Sequence, residues 1–294
     1  MRITDRVMLD RVNANLQANL ERLSDLQQQL SGGKRIRRPS DDPADTVTAL
    51  RYRSQLALNA QYERGLDAAR VRLGATDTAL GQLGDLLQRA HELAVQGGTV
   101  TVGPAEMQDL AAEVGQLLNG AVTLGNTNFA GQYIFAGTKT LTSPFALSGA
   151  PPTAYTFVGN SSQTAVDIGA GAPFPTNVDG NAACGPALSV LIKLRNDLAA
   201  GDHVAVGSDV SSLQTALDTT LQVRGDVGAR MNRVQALQSE IGQSQAYLQQ
   251  LDAQTEDLDI ADAVVKLTSQ QAVYEAALRV AARASQSSLL DFLR

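Results

Sequence analysis

Residues 9–30, LDRVNANLQANLERLSDLQQQL, decide the fold. Leu9, Val12, Leu16, Asn19, Leu23, Leu26 and Leu30 follow one another at alternating steps of three and four, which sets them on one stripe of a helix, the seam of a coiled coil. The other end of the chain repeats the device. Val264, Leu267, Gln271, Tyr274, Leu278, Ala281, Ser285, Ser288 and Phe292 keep the same alternation. Chain ends are usually the least structured part of a domain, so apolar stripes that run out to both ends need something to pack against. The partner is the other end or another copy.

Asn19 and Gln271 are the polar exceptions in these seams. Each is either a solvated position in a mixed helix or a register-setting amide, which trades stability for one alignment.

Working inward, the first seam stops at Ser31-Gly32-Gly33, a helix terminator. A basic run, Lys34 to Arg38, follows, then Ser40-Asp41-Asp42-Pro43, where carboxylate or hydroxyl oxygens cap free N–H groups and Pro suits the first turn. A long helix is therefore expected from near Ala44 to Gln96, with Leu66, Ala69, Leu73, Thr76, Leu80, Leu83 and Leu87 on its buried stripe. Gly74, Gly81 and Gly84 weaken it locally and admit close neighbours. A shorter helix is expected after Pro104, and further helices over Pro186–Ala199 and from about Ser208, with a break near Gln254–Asp259.

Composition shifts between these helices. From Thr140 to Ile192 there is no Lys or Arg, the only acids are Asp167 and Asp179, and six of the nine prolines fall in this stretch. Short runs such as 154–158 and 164–168 between Gly, Pro and Asn punctuation predict strands. The expected fold is mainly α with a small β-rich insert. Its layers are 1–40 plus 256–294 as a terminal coiled-coil layer, 41–137 plus 186–255 as a helical bundle, and 138–185 as a distal β insert.

Aromatic residues make up 4% of the 294 residues, Trp is absent and the net charge is −6, which disfavours nucleic acid as the main partner. Cys184 is the single cysteine, so no intrachain disulfide forms. No apolar run reaches the length of a membrane span, and MRITDRVMLDR interrupts every apolar run with charge, unlike a Sec-type signal. The chain is expected to be cytosolic or to leave by another route.

His91 and His203 stand apart without a ligand cluster, so no metal or cofactor is expected. No nucleophile-elbow, P-loop or dinucleotide motif occurs, and the adjacent carboxylates Asp41-Asp42 and Glu256-Asp257 read as helix caps. The basic run reads as a solvated loop that pairs with acids on a neighbouring subunit.

Three stretches carry a resemblance. Leu30-Ser-Gly-Gly-Lys34-Arg35-Ile36 with Ser40-Asp41-Asp42-Pro43-Ala44 resembles the segment after the first helix of bacterial flagellins, and Gln88–Gln96, QRAHELAVQ, resembles a flagellin helix. Residues 126–137, NTNFAGQYIFAG, are more selective. Asn128, Phe129, Gly131, Tyr133, Phe135 and Gly137, with the Asp-Asp-Pro form and the ending SLLDFL, resemble the hook-associated protein 3 branch of the flagellin family.

The resemblance implies a non-enzymatic structural subunit, exported unfolded through the flagellar type III channel to the extracellular flagellum. It implies a self-assembled ring at the hook–filament junction, between a second hook-associated junction protein and flagellin. It also implies an export chaperone on the last helix, about Asp262 to Phe292, and links Arg89, Leu93 and Gln96 to an innate immune receptor surface. The alternatives are a minor flagellin filament subunit and a cytosolic coiled-coil adaptor.

Overall fold

The computed structural model describes the backbone of residues 2–168 and 173–292; side chains are described at Val7 and, outside 169–172, from Asp10 to Ala282. Among the described residues six helices and six short strands follow in order: α1 Arg2–Gly32, α2 Pro43–Gly97, α3 Pro104–Gly125, β1 Asn128–Phe129, β2 Gln132–Tyr133, β3 Phe145–Ser148, β4 Ala154–Phe157, β5 Ala165–Val166, β6 Phe174–Pro175, α4 Gly180–Ala200, α5 His203–Glu256 and α6 Ile260–Phe292. The chain is therefore mainly helical with a small β part. It divides into two compact units, Met1–Leu58 with Gln243–Arg294, and Asn59–Gly242.

The Asn59–Gly242 unit holds the large core. Leu66, Leu73, Leu80, Leu83 and Leu87 of α2 are buried with Val114 and Leu118 of α3, Leu188 and Leu191 of α4, and Leu213, Val227 and Val234 of α5. The helix-period stripe read in α2 is the face that enters this core. Gly84 lies against Leu217 of α5, at a Cβ-equivalent distance of 3.8 Å, whereas Gly74 faces open space.

Three antiparallel two-stranded ribbons, β1–β2, β3–β4 and β5–β6, make up the β part. Phe145 stacks tilted against Phe157 at 5.1 Å and Tyr155 at 6.0 Å. Arg230 Nη1 of α5 donates to the Asn177 carbonyl at 2.7 Å, and the Arg233 guanidinium lies 5.9 Å from the Phe174 ring centre. The ribbons are thus fastened to the helices by cations on α5 and by the aromatic cluster.

Helix α4 begins at Gly180, six residues before the expected Pro186. Asp179 is the reason, since its carboxylate accepts from Asn181 N at 2.9 Å and Ala182 N at 3.3 Å, and Pro186 is carried inside the helix. Helix α5 likewise starts at His203 rather than Ser208, capped by Asp202, which accepts from Val204 N and Ala205 N at 3.0 Å each.

Candidate assembly interface

Helices α1 and α6 pack on each other. They run antiparallel, because Lys34 bridges to Asp257 at one end while Asn19 meets Gln270 further along. On α1, Val12, Leu16, Asn19, Leu23, Leu26 and Leu30 are half-buried, the stripe read from the spacing. On α6 the partly or fully buried positions are Ala263, Leu267, Gln270, Tyr274, Ala277 and Ala281. Leu267, Tyr274 and Ala281 stand where the seam placed them, whereas Gln271 and Leu278 are exposed and neighbouring Gln270 and Ala277 turn inward. Valines on several faces of α6 hide the phase of its stripe from sequence. The side chains of Leu9 and Phe292 lie outside the described residues.

The polar exception in α1 has a partner. Gln270 Nε2 donates to Asn19 Oδ1 at 3.2 Å. The bond gives the buried side of Asn19 a partner on the facing helix.

Beyond the seam the two connectors, 33–42 and 257–259, are clasped. Arg35 N donates to the Glu256 carbonyl at 2.7 Å and Leu258 N to the Gly33 carbonyl at 3.0 Å. Lys34 Nζ reaches Glu256 Oε2 at 2.7 Å, and Arg53 pairs with the same carboxylate and with Asp252 at 3.5 Å. Arg35 pairs with Asp42 at 3.4 Å and with Asp45, and its Nη2 donates to the Thr255 carbonyl at 2.8 Å. Burial alone would push the Glu256 carboxyl up; the bonds to Lys34 and Arg53 outweigh it and hold the group below the usual carboxylate range. The expectation that this basic run pairs with a neighbouring subunit is corrected for Lys34 and Arg35: their acids come from the same chain, more than 200 positions away in the case of Glu256.

Asp41 and Asp42 act locally. Asp41 Oδ2 accepts from Arg37 N at 3.0 Å and Arg38 N at 2.9 Å, which lowers its pKa, and Asp42 Oδ1 accepts from Asp45 N at 3.1 Å. Pro43 opens α2 with a ring that needs no N–H partner.

The 126–137 motif sits in the other unit. Asn126 clamps β3, its Nδ2 donating to the Phe145 carbonyl at 2.8 Å and its Oδ1 accepting from Phe145 N at 2.9 Å. Asn128 and Phe129 pair with Tyr133 and Gln132 across a two-residue turn in which Ala130 and Gly131 have φ of 50° and 81°, the positive pair of a type I′ hairpin. Ile134 and Phe135 enter the core. Gly137, at φ 67°, lies so close to Asn160 that a Cβ would strike its backbone oxygen. The motif is legible as a fastening between α3, the ribbons and the start of α4. Asn126 and Asn160 are its polar anchors, and their clamping role has no signature in sequence.

Of the receptor-surface positions, Leu93 is 2% exposed, Arg89 is held by Glu113 at 2.7 Å and Glu92 at 2.9 Å, and Gln96 donates to Glu106 at 3.1 Å. Leu93 is therefore buried, and Arg89 and Gln96 beside it are engaged by the α3 acids Glu113 and Glu106. Cys184 is buried and its thiol is pushed up to about 12 by that burial, which leaves it unreactive. Among the described residues no cluster of three or more His, Cys, Asp or Glu could hold a metal, and no helix is long and apolar enough to cross a membrane.

Comparison with known proteins agrees with this geometry. Residues 3–140 match the bacterial flagellin N-terminal helical region and residues 210–293 the bacterial flagellin C-terminal helical region. The chain is 26% identical to flagellar hook-associated protein 3 of Salmonella typhimurium, covering 95% of each chain, and 26% identical to flagellin FlaB2 of Treponema pallidum, covering 97% of this chain and 95% of that one. Among solved structures, a flagellar hook-associated protein from Vibrio parahaemolyticus superposes with a TM-score of 0.66 at 17% identity, over 74% of this chain and all of the other. FlgL of Bacillus cereus superposes with a TM-score of 0.61 at 23% identity, over 69% of this chain and 99% of the other. Matched over residues 3–140 and 210–293 by the flagellin helical-region models, the chain belongs to the flagellin family, as a structural component of the flagellum rather than an enzyme.

Proposed function

We propose that the chain is the subunit that joins the hook side of the bacterial flagellum to the flagellin filament. It leaves the cell unfolded through the flagellar type III apparatus and forms a ring of copies at the extracellular hook–filament junction. A second hook-associated junction protein lies on one side of the ring and flagellin on the other. The observation that carries this reading is the alignment across 95% of the chain with a hook-associated protein 3. The apolar surface left on the terminal helices supports it: Leu20, Ile260, Val265 and Val280 are more than half exposed although α1 and α6 already cover each other's seams. Such surface favours burial in an assembly.

In this reading Leu9, Val12, Leu16, Asn19, Leu23, Leu26, Leu30, Leu267, Gln271, Tyr274, Leu278, Ala281 and Phe292 serve the assembly interface. Residues 1–40 with 256–294 form the assembly layer, 41–137 with 186–255 the bundle, and 138–185 the variable insert. A cytosolic chaperone shields α6 before export.

The test is a strain lacking the chain. Cells that keep hooks and shed monomeric flagellin into the medium bear out the junction role, and intact filaments refute it. The near full-length similarity to a Treponema flagellin favours a second reading, a minor filament subunit, which requires the purified chain to polymerise alone into long filaments.

A further inference from the structure

A carboxylate stands on the buried stripe of α5. Val206, Asp209, Leu213 and Ala216 follow at steps of three and four and are all buried, with Asp209 0% exposed. Lys193 of α4 pairs with Asp209 Oδ1, while Asp209 Oδ2 is buried with no hydrogen-bond partner. Buried polar atoms are nearly always bonded, so such an orphan needs a reason.

Charge counting supplies one. Lys193 Nζ also bonds Asp197 Oδ2 at 2.9 Å, one turn along α4, so a single ammonium serves two carboxylates. Ionised together, they leave one uncompensated negative charge at the edge of the core, which burial and like charge both disfavour. Burial is the largest influence on Asp209 and, with Asp197, outweighs Lys193, so the carboxyl is pushed above its ordinary value. A proton on Asp209 makes it a donor, and Asp197 is the acceptor within reach. The other ionisable groups of this end are engaged elsewhere or stand apart. At this end α2 meets α5 through Gly98 against Gly207, and its His91 bonds to neither aspartate among the described residues. His203 Nδ1 lies 2.8 Å from the Gly97 carbonyl, and Asp202 caps α5. On α3, Glu106 holds Gln96, Glu113 holds Arg89 and Asp109 is exposed.

We infer that Lys193, Asp197 and Asp209 form a proton-holding lock between α4 and α5: with one proton shared by the two carboxylates the joint is closed, and loss of that proton as pH rises loosens it. The folded chain keeps this proton in a range where an unfolded aspartate, with a pKa of about 3.9, has lost it. Stability from the lock is therefore present in full below that value and is withdrawn as pH rises through the higher folded one. The clasp at Glu256 runs the other way, because its carboxyl is held low. The two units thus respond to acid in opposite directions.

The test is carbon-13 NMR of the full chain labelled at its aspartate carboxyl carbons, titrated from about pH 8 to about pH 4. The resonance that disappears in Asp209→Asn belongs to the lock. Its midpoint is expected above the ordinary aspartate value, lowered by Asp197→Asn and raised by Lys193→Met. A midpoint at or below the ordinary value, or one that neither substitution moves, overturns the proposal. Asp197→Asn, at a partly exposed site, keeps the test open if Asp209→Asn does not fold: the one high-titrating aspartate resonance of the wild type must move down in it.

Urea unfolding gives an independent arm. Asp209→Asn is expected to have the higher midpoint at neutral pH, because it removes the surplus buried charge and leaves Lys193 with Asp197, and to lose that advantage as pH falls. A deficit at neutral pH that shrinks in acid would make Asp209 an ordinary ion-pair carboxylate and overturn the lock.

Discussion

In the Asn59–Gly242 unit, leucines from four helices are fully buried, whereas in the unit formed by the chain ends the buried side chains among the described residues are Ile36, Ala49, Glu256 and Ala263. Both units are built mainly from helices. One is held by apolar burial, and the other by a hydrogen-bonded, charged clasp from which two sparsely packed helices extend. Burial of leucines scales with contact area and belongs to the isolated chain, while helices with half-buried seams reach full stability only when more surface is covered. The difference teaches that a flagellar subunit of this kind can be stable in one part and unfinished in another.

The largest expected effect lies in the core. Leu188→Ala removes a side chain with 0% exposure and is expected to cost about 3 kcal/mol in denaturant unfolding of the free chain. Leu23→Ala, on the half-buried seam, is expected to cost about 1 kcal/mol or less. Equal costs would erase the contrast between the units.

Next comes the amide clamp in the β part. Asn126→Ala leaves the Phe145 N–H and carbonyl without their partners and is expected to cost about 2 kcal/mol, with faster amide exchange confined to residues 126–160.

Glu256→Gln weakens the clasp by about 1 kcal/mol, a low figure because Lys34 and Arg53 are nearly half exposed. The Glu256 carboxyl is held below its ordinary value in the folded chain. Its stabilisation is therefore present above the unfolded glutamate pKa of about 4.3 and lost as pH falls through the lower folded value. Urea midpoints measured between neutral pH and acid should converge for wild type and Glu256→Gln at the acid end; a constant difference would contradict the assignment.

The smallest stability change is predicted for Asn19→Leu, a gain below about 1 kcal/mol from replacing one amide of the Asn19–Gln270 pair. Its readout is order rather than stability: incorporation into flagella should become irregular, and unaltered incorporation would remove the register role.

Much of this organisation is legible in sequence where a local signal decides it. The Gly32-Gly33 stop, the Pro43 and Pro104 starts and the α2 stripe need only residues a few positions apart. Helix α4 misleads because Pro186 looks like a first-turn proline, although Asp179, a strong capping residue, stands seven positions earlier. The α6 seam misleads because Val264, Val265 and Val273 leave its apolar phase ambiguous and Gln270 rather than Gln271 meets Asn19. The clasp is beyond reach, since Lys34 and Glu256 are brought together only by the return of the chain. What is missed is in each case set by tertiary contact rather than by local propensity.

Amide hydrogen exchange on the full chain, free and within isolated flagella, tests the central claim most directly. The account predicts that amides within 66–97 and 188–234 are strongly protected in both samples. Those of 10–30 and 260–282 should exchange quickly in the free chain and become protected in flagella. Equal protection of the terminal helices in the two samples would contradict it, because their packing would then be complete without a partner.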